Sequence, residues 1–134
     1  MILNRYTYVI SHFNILNSKK LKYKKILNTK KTLELIQVLH SQGVLASYTI
    51  LPSTNKNISY IYFAAIYFKH LPFYSTLRLV STASKKHYIS LSALKLLTKS
   101  IGNSLVIMQT SKGLLSHKEA LNLNLGGVVL CIAS

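Results

Sequence analysis

Residues 110–131, TSKGLLSHKEALNLNLGGVVLC, constrain the fold more than any other part of the chain. The short apolar run LVIM at 105–108 reads as a buried strand that delivers the chain into Thr110-Ser111-Lys112-Gly113. Two hydroxyls, an ammonium and a glycine therefore meet in a loop at a strand end. Gly113 lets the backbone take a positive φ or approach a partner closely. Ser116-His117-Lys118-Glu119 fits a capping box, in which Ser116 accepts from the Glu119 amide while Glu119 reaches back, so a helix starts there. It must be short, because Gly126-Gly127 follows. That pair is expected to hold a tight turn with at least one glycine at positive φ, before a buried closing strand over 128–133.

Charge narrows the function. The 134 residues carry 17 Lys+Arg against 2 acids, a net charge of +15. The acids are Glu34 and Glu119, and there is no Asp. A polyanion must screen such a chain: nucleic acid first, membrane headgroups second. With 49% apolar residues it can bury a core, so it is no disordered tail. The lone Cys131 excludes an internal disulfide and reads as a buried small hydrophobe. His12, His40, His70, His87 and His117 are scattered singly, so no metal site and no cofactor is expected. Ser111 and His117 lack a third carboxylate and an elbow motif, which argues against a hydrolase. No apolar run reaches the roughly 18 residues of a membrane helix, and there is no Gly-rich nucleotide loop, so neither membrane insertion nor a small-molecule substrate is expected.

Read in order, residues 8–16 place Val9, Ile10, Phe13 and Leu16 on one helical stripe. Lys19, Lys20, Lys22, Lys24 and Lys25 follow, either as a solvated face or as an RNA-facing one. A short strand at 25–27 precedes a helix over 31–42, capped by Asn28 or Thr29. Thr32, Leu35, Ile36 and Leu39 form its buried face, and Gly43 is its stop. Strands follow over 44–51 and 58–68, separated by a polar turn at 52–57. Tyr60 and Tyr62 stand on one face of the second strand, as base-stacking platforms or as core and rim aromatics. Residues 69–74, with Pro72, link the halves. A strand at 76–80, a loop at 81–88, and a helix from the Ser90 cap to Lys99 complete the pattern, and Gly102 ends that helix.

The C-terminal stretch resembles the small-subunit ribosomal protein eight (S-eight) family, whose pattern is Ser-Thr-Ser-Lys-Gly, Glu-Ala, Gly-Gly-Glu and an apolar strand with Leu-Cys. Thr110, Ser111, Lys112, Gly113, Glu119, Ala120, Gly126, Gly127, Leu130 and Cys131 match it in order. Gln109 and Val128 depart, replacing a serine and the glutamate after the glycines. The family loop Ser-Lys-Pro-Gly/Ser-Arg-Arg-Val-Tyr is matched at Ser81, Ser84 and Tyr88. There Lys85 and Lys86 replace the arginines and lose their planar fork, and Ala83 replaces the proline, leaving a less rigid loop. Asn14 to Ser18 fit the family's basic helix end without its cations.

The resemblance spans about residues 8–131. It implies an α+β fold of two small lobes: an N-terminal α/β half at 1–72 and a mostly β C-terminal half with short helices at 73–134. It implies a non-enzymatic constituent of the small ribosomal subunit. Such a protein binds the central domain of small-subunit rRNA, supports its assembly, and touches neighbouring ribosomal proteins. The residues carried over are Thr110, Ser111, Lys112 and Gly113 in one loop, and Ser84, Lys85, Lys86 and Tyr88 in the other. Tyr88 offers a stacking ring or fills a buried strand position. The excess of lysine over arginine, with abundant Asn, Ile and Tyr, marks an AT-rich gene. The expectation is an organelle-encoded protein of a mitochondrial rather than plastid ribosome. The remaining rival is a basic peripheral membrane protein, or an RNA binder outside the ribosome.

Overall fold

In the computed structural model all residues are described except Met1, Lys56, His70 and Ala83, together with the side chains of residues 2–4 and 68. The expectation for Ala83 therefore lies outside the described residues. The chain divides into two compact units, residues 1–76 and 77–134. The class is α+β with antiparallel sheets.

The first unit opens with α1 (Ile2–Ser18), β1 (Lys24–Leu27), α2 (Lys30–Ser41), β2 (Leu45–Pro52) and β3 (Ser59–Ala65). The stripe predicted on α1 is buried, joined by Tyr6. Thr29 caps α2 in a reciprocal box with Thr32, and Thr32, Leu35, Ile36 and Leu39 are its buried residues. Gly43 ends the helix at φ 81°. The three strands form a sheet in the order β1-β3-β2. Ile26, Ile61, Phe63 and Ala65 are buried in the unit's core. Asn17, at the end of α1, is buried and donates to the carbonyls of Tyr74 (2.7 Å) and Ser75 (3.2 Å).

The strand predicted over 58–68 does not run through. It breaks after Ala65, and β4 (Tyr67–Phe68) pairs instead with β5 (Leu71–Pro72) in a two-stranded ribbon. The expected link at 69–74 is thus partly a hairpin. Lys69 turns it at φ 51°, and the Phe73 amide closes it on the Ile66 carbonyl at 2.9 Å. Pro72 is tolerated because a two-stranded ribbon consists only of edges.

The second unit comprises β6 (Leu77–Leu79), β7 (Tyr88–Ile89), α3 (Leu91–Ser100), β8 (Leu105–Thr110), β9 (Gly113–Ser116), α4 (His117–Asn122) and β10 (Gly127–Ala133). Its sheet order is β6-β10-β8-β9, with β7 also on β10. Since β8 pairs along 128–133, β6 and β7 lie one after the other on the opposite edge of β10. Leu94, Val106, Met108, Ala120 and Val129 form the buried core between sheet and helices.

Two expectations for this unit need correction. The expected loop at 110–113 is only the turn of a hairpin, whose second strand the sequence reading left unassigned: Leu114, Leu115 and Ser116 pair with Gln109, Met108 and Ile107. Nor do Gly126 and Gly127 take positive φ. The left-handed residue of that corner is Asn124, at φ 55°. The glycines are required by close approach instead. A Cβ on Gly126 would stand 2.7 Å from the Ile89 carbonyl oxygen, and one on Gly127 would collide with that of Gln109.

Candidate nucleic-acid interface

Thr110 pairs with Gly113, so Ser111 and Lys112 are the two tip residues of a tight hairpin between β8 and β9. Gly113 supplies the expected left-handed conformation at φ 98°. The Thr110 hydroxyl is used inside the turn: it donates to the Gly113 carbonyl at 2.9 Å and accepts from the Lys112 amide at 3.2 Å. Ser111, Lys112 and Gly113 are exposed. Thr110 thus shapes the tip, while Ser111 and Lys112 present a hydroxyl and a cation at it.

The second predicted segment is held from below by a residue that sequence reasoning matched but did not place in the site. Ser81 is fully buried; its hydroxyl donates to the Val129 carbonyl and accepts from the His87 amide at 3.1 Å. Val129 returns an amide bond to the His87 carbonyl at 2.9 Å. Between these anchors the loop closes on itself. The Thr82 amide donates to the Lys85 carbonyl at 2.8 Å, and the Lys85 amide donates to the Thr82 hydroxyl at 3.1 Å. Ser84, Lys85 and Lys86 are exposed. Tyr88 is 76% exposed, so its ring does not fill a buried strand position.

Both segments meet β10 at its first residues. Val128 is paired with Tyr88 on one side and Gln109 on the other, so these three share a lateral row and one face of the sheet. With strands about 4.8 Å apart, Tyr88 and Gln109 are separated by about 10 Å. The departure at Val128 puts an apolar residue between the two segments. The close packing at Gly126 and Gly127 draws in the chain on both sides. Tyr88 on one side and the base of the Ser111-Lys112 hairpin on the other thus flank Val128, while Ser84, Lys85 and Lys86 lie on the loop anchored beside Val129.

His117 is unavailable as a base. It is buried and its Nδ1 accepts the Val106 amide at 3.2 Å, which fixes the proton on Nε2. Burial holds its pKa below the ordinary histidine value. Cys131 is buried too, its thiol pushed up to about 12 by desolvation. Among the described residues no group of three His, Cys, Asp or Glu is placed to hold a metal ion, and no helix is long and apolar enough to cross a membrane.

The model of the family described as "Ribosomal protein S8" matches residues 9–133. Among curated relatives, the "Small ribosomal subunit protein uS8" of Amoebophilus asiaticus is 33% identical over 109 residues, covering 78% of this chain and 76% of that protein. The protein of the same name from Nitratiruptor is 29% identical over 110 residues, covering 80% of each. That of Citrifermentans bemidjiense is 26% identical over 119 residues, covering 87% and 88%.

Proposed function

The chain belongs to the ribosomal protein S8 family, a family of structural ribosomal proteins and not of enzymes; on that premise we propose that it binds the central domain of small-subunit rRNA and supports its assembly. The observation that carries this reading is that the strand carrying the Ser111-Lys112 hairpin and the strand following the Ser84–Lys86 loop flank the same residue, Val128, through Gln109 and Tyr88. Structured RNA is recognised through shape, the 2′-hydroxyl and unstacked bases. A hydroxyl on a rigid tip matches one sugar or base edge, whereas lysines position a backbone without reading it. Ser111 is thus the specifying group, Lys85, Lys86 and Lys112 the phosphate contacts, and Tyr88 the stacking ring.

Binding titrations test the assignment. Ser111→Ala is expected to cost roughly 1–3 kcal/mol on a central-domain rRNA fragment and almost nothing on a non-cognate duplex. Lys85→Ala with Lys86→Ala is expected to weaken both RNAs alike and flatten the salt slope by about 1 to 2 units. Equal losses on both RNAs for Ser111→Ala would reduce the hairpin to one more electrostatic contact.

We further propose that the ribosome concerned is mitochondrial, with neighbouring small-subunit proteins as partners. The lysine-for-arginine bias and AT-rich composition support an organellar gene, and the bacterial relatives suit an organelle of bacterial descent. Fractionation of the source cells tests it: the chain should follow mitochondrial small subunits, and recovery in plastid or cytosolic ribosomes would refute the placement.

A further inference from the structure

In the N-terminal unit α1 and α2 cover one face of the three-stranded sheet, burying Ile26, Ile61, Phe63 and Ala65. Strand alternation puts Tyr60, Tyr62 and Ala64 on the other face. The register sets Lys25 and Thr49 on either side of Tyr62, and Leu27 and Leu51 on either side of Tyr60. Tyr23 is 61% exposed; its ring lies 5.8 Å from that of Tyr62, tilted by 56°. The Lys25 ammonium stands over the Tyr60 ring, 4.1 Å from its centroid.

Next to Tyr23 in the chain is Lys22, which lines a cavity of about 600 Å³ together with Lys20, Leu21, Tyr67 and Lys69. This cavity has a fixed frame. The Tyr67 hydroxyl donates to the carbonyls of both Leu16 and Leu21 at 3.1 Å, spanning the turn that carries Lys20. Lys20 and Lys69 both sit in the left-handed region, at φ 52° and 51°. The unit's acid, Glu34, is drawn to Lys31 on α2 at 3.7 Å. Rings beside a cationic cavity match a splayed single strand, where bases need π-faces and phosphates need cations. A duplex offers no base faces, and a purely apolar protein contact would give Lys20 and Lys22 no counter-charge.

We propose that this open sheet face is a second RNA site, where Tyr23 and Tyr62 stack an unpaired base and the cavity of Lys20, Lys22 and Lys69 takes the adjoining backbone phosphate. The proposal rests on the RNA-binding reading above and adds a different mode. The C-terminal loops read one folded structure, and this face takes unpaired RNA with little regard to sequence.

The test uses the full chain and labelled decauridine, with a central-domain rRNA hairpin alongside. Tyr23→Ala should weaken decauridine binding about 5- to 160-fold, the range for one lost base–aromatic stack, and leave the hairpin unaffected. Tyr23→Phe should stay within about twofold of wild type, while Lys20→Ala with Lys22→Ala should lower the salt slope on decauridine by about 1. Photocrosslinks from 4-thiouridine in the oligomer should fall on Tyr23 or Tyr62. If the hairpin binds normally but Tyr23→Leu holds decauridine as wild type does, stacking is refuted and the face is an apolar contact for a protein. Crosslinks confined to residues 77–134 would likewise overturn the proposal and leave the rRNA reading intact. Failure of the wild type to bind either RNA would defeat both.

Discussion

Replacing Gly127 with alanine is expected to destabilise the C-terminal unit by about 2 kcal/mol, reversing the usual sign of such a change. At ordinary φ, Gly→Ala stabilises by about 0.4–1 kcal/mol, because it removes freedom from the unfolded chain. Here the new Cβ would fall against the Gln109 carbonyl oxygen, with the Gln109 carbonyl carbon at 3.2 Å and the Thr110 Cα at 3.3 Å. These are backbone atoms of a central strand, so no side chain can swing aside. Overpacking costs about 1–3 kcal/mol, and backbone overlap takes the upper end, which leaves a net loss of about 2 kcal/mol. Urea unfolding, with hydrogen exchange at the Met108 and Val129 amides, measures it. Gly43 is the control: it has φ 81°, and a Cβ added there would meet nothing within 4 Å. Asparagine tolerates that conformation, so Gly43→Asn should be mild and Gly127→Asn should not. If Gly127→Ala proves as stable as wild type or more so, close approach is not why glycine stands there.

Ser81→Ala should cost about 1–3 kcal/mol, since it strands the Val129 carbonyl and the His87 amide; it should also weaken rRNA binding through the loosened loop, read by urea midpoint and titration. Affinity for RNA should fall steeply between roughly 50 and 200 mM salt, and a flat response would contradict the electrostatic account. Burial, and secondarily nearby Lys118 and Lys24, hold His117 and His12 below the ordinary histidine pKa. The unfolded chain therefore binds protons that the fold refuses. Stability should be whole above about pH 6.5 and decline as pH falls below it, and His12→Gln with His117→Gln should flatten the urea midpoint between pH 7.5 and 5.5. The Cys131 thiol should react with a disulfide reagent at neutral pH only on unfolding.

Local chemistry made much of the fold legible. The Thr29, Ser90 and Ser116 caps and the four-residue buried face of α2 follow from side-chain type and helical period. What escaped depends on contacts distant in sequence. β9 is too short and mixed in polarity to register as a strand, and exists because Ser111 and Lys112 turn it back onto β8. Gly126 and Gly127 signal turn and close approach equally until their neighbours are known. Ser81 reads as one more loop serine, and only the fold sets it beneath Val129. The candidate site was legible as two separate segments, and their meeting at β10 was not.

Sedimentation of the chain through a high-salt gradient tests the central claim most directly. A tagged chain expressed in its own cells should travel with the small ribosomal subunit after a high-salt wash strips loosely held basic proteins, and ribonuclease should release it. Recovery at the top of the gradient before ribonuclease, or on membranes after it, would contradict the account.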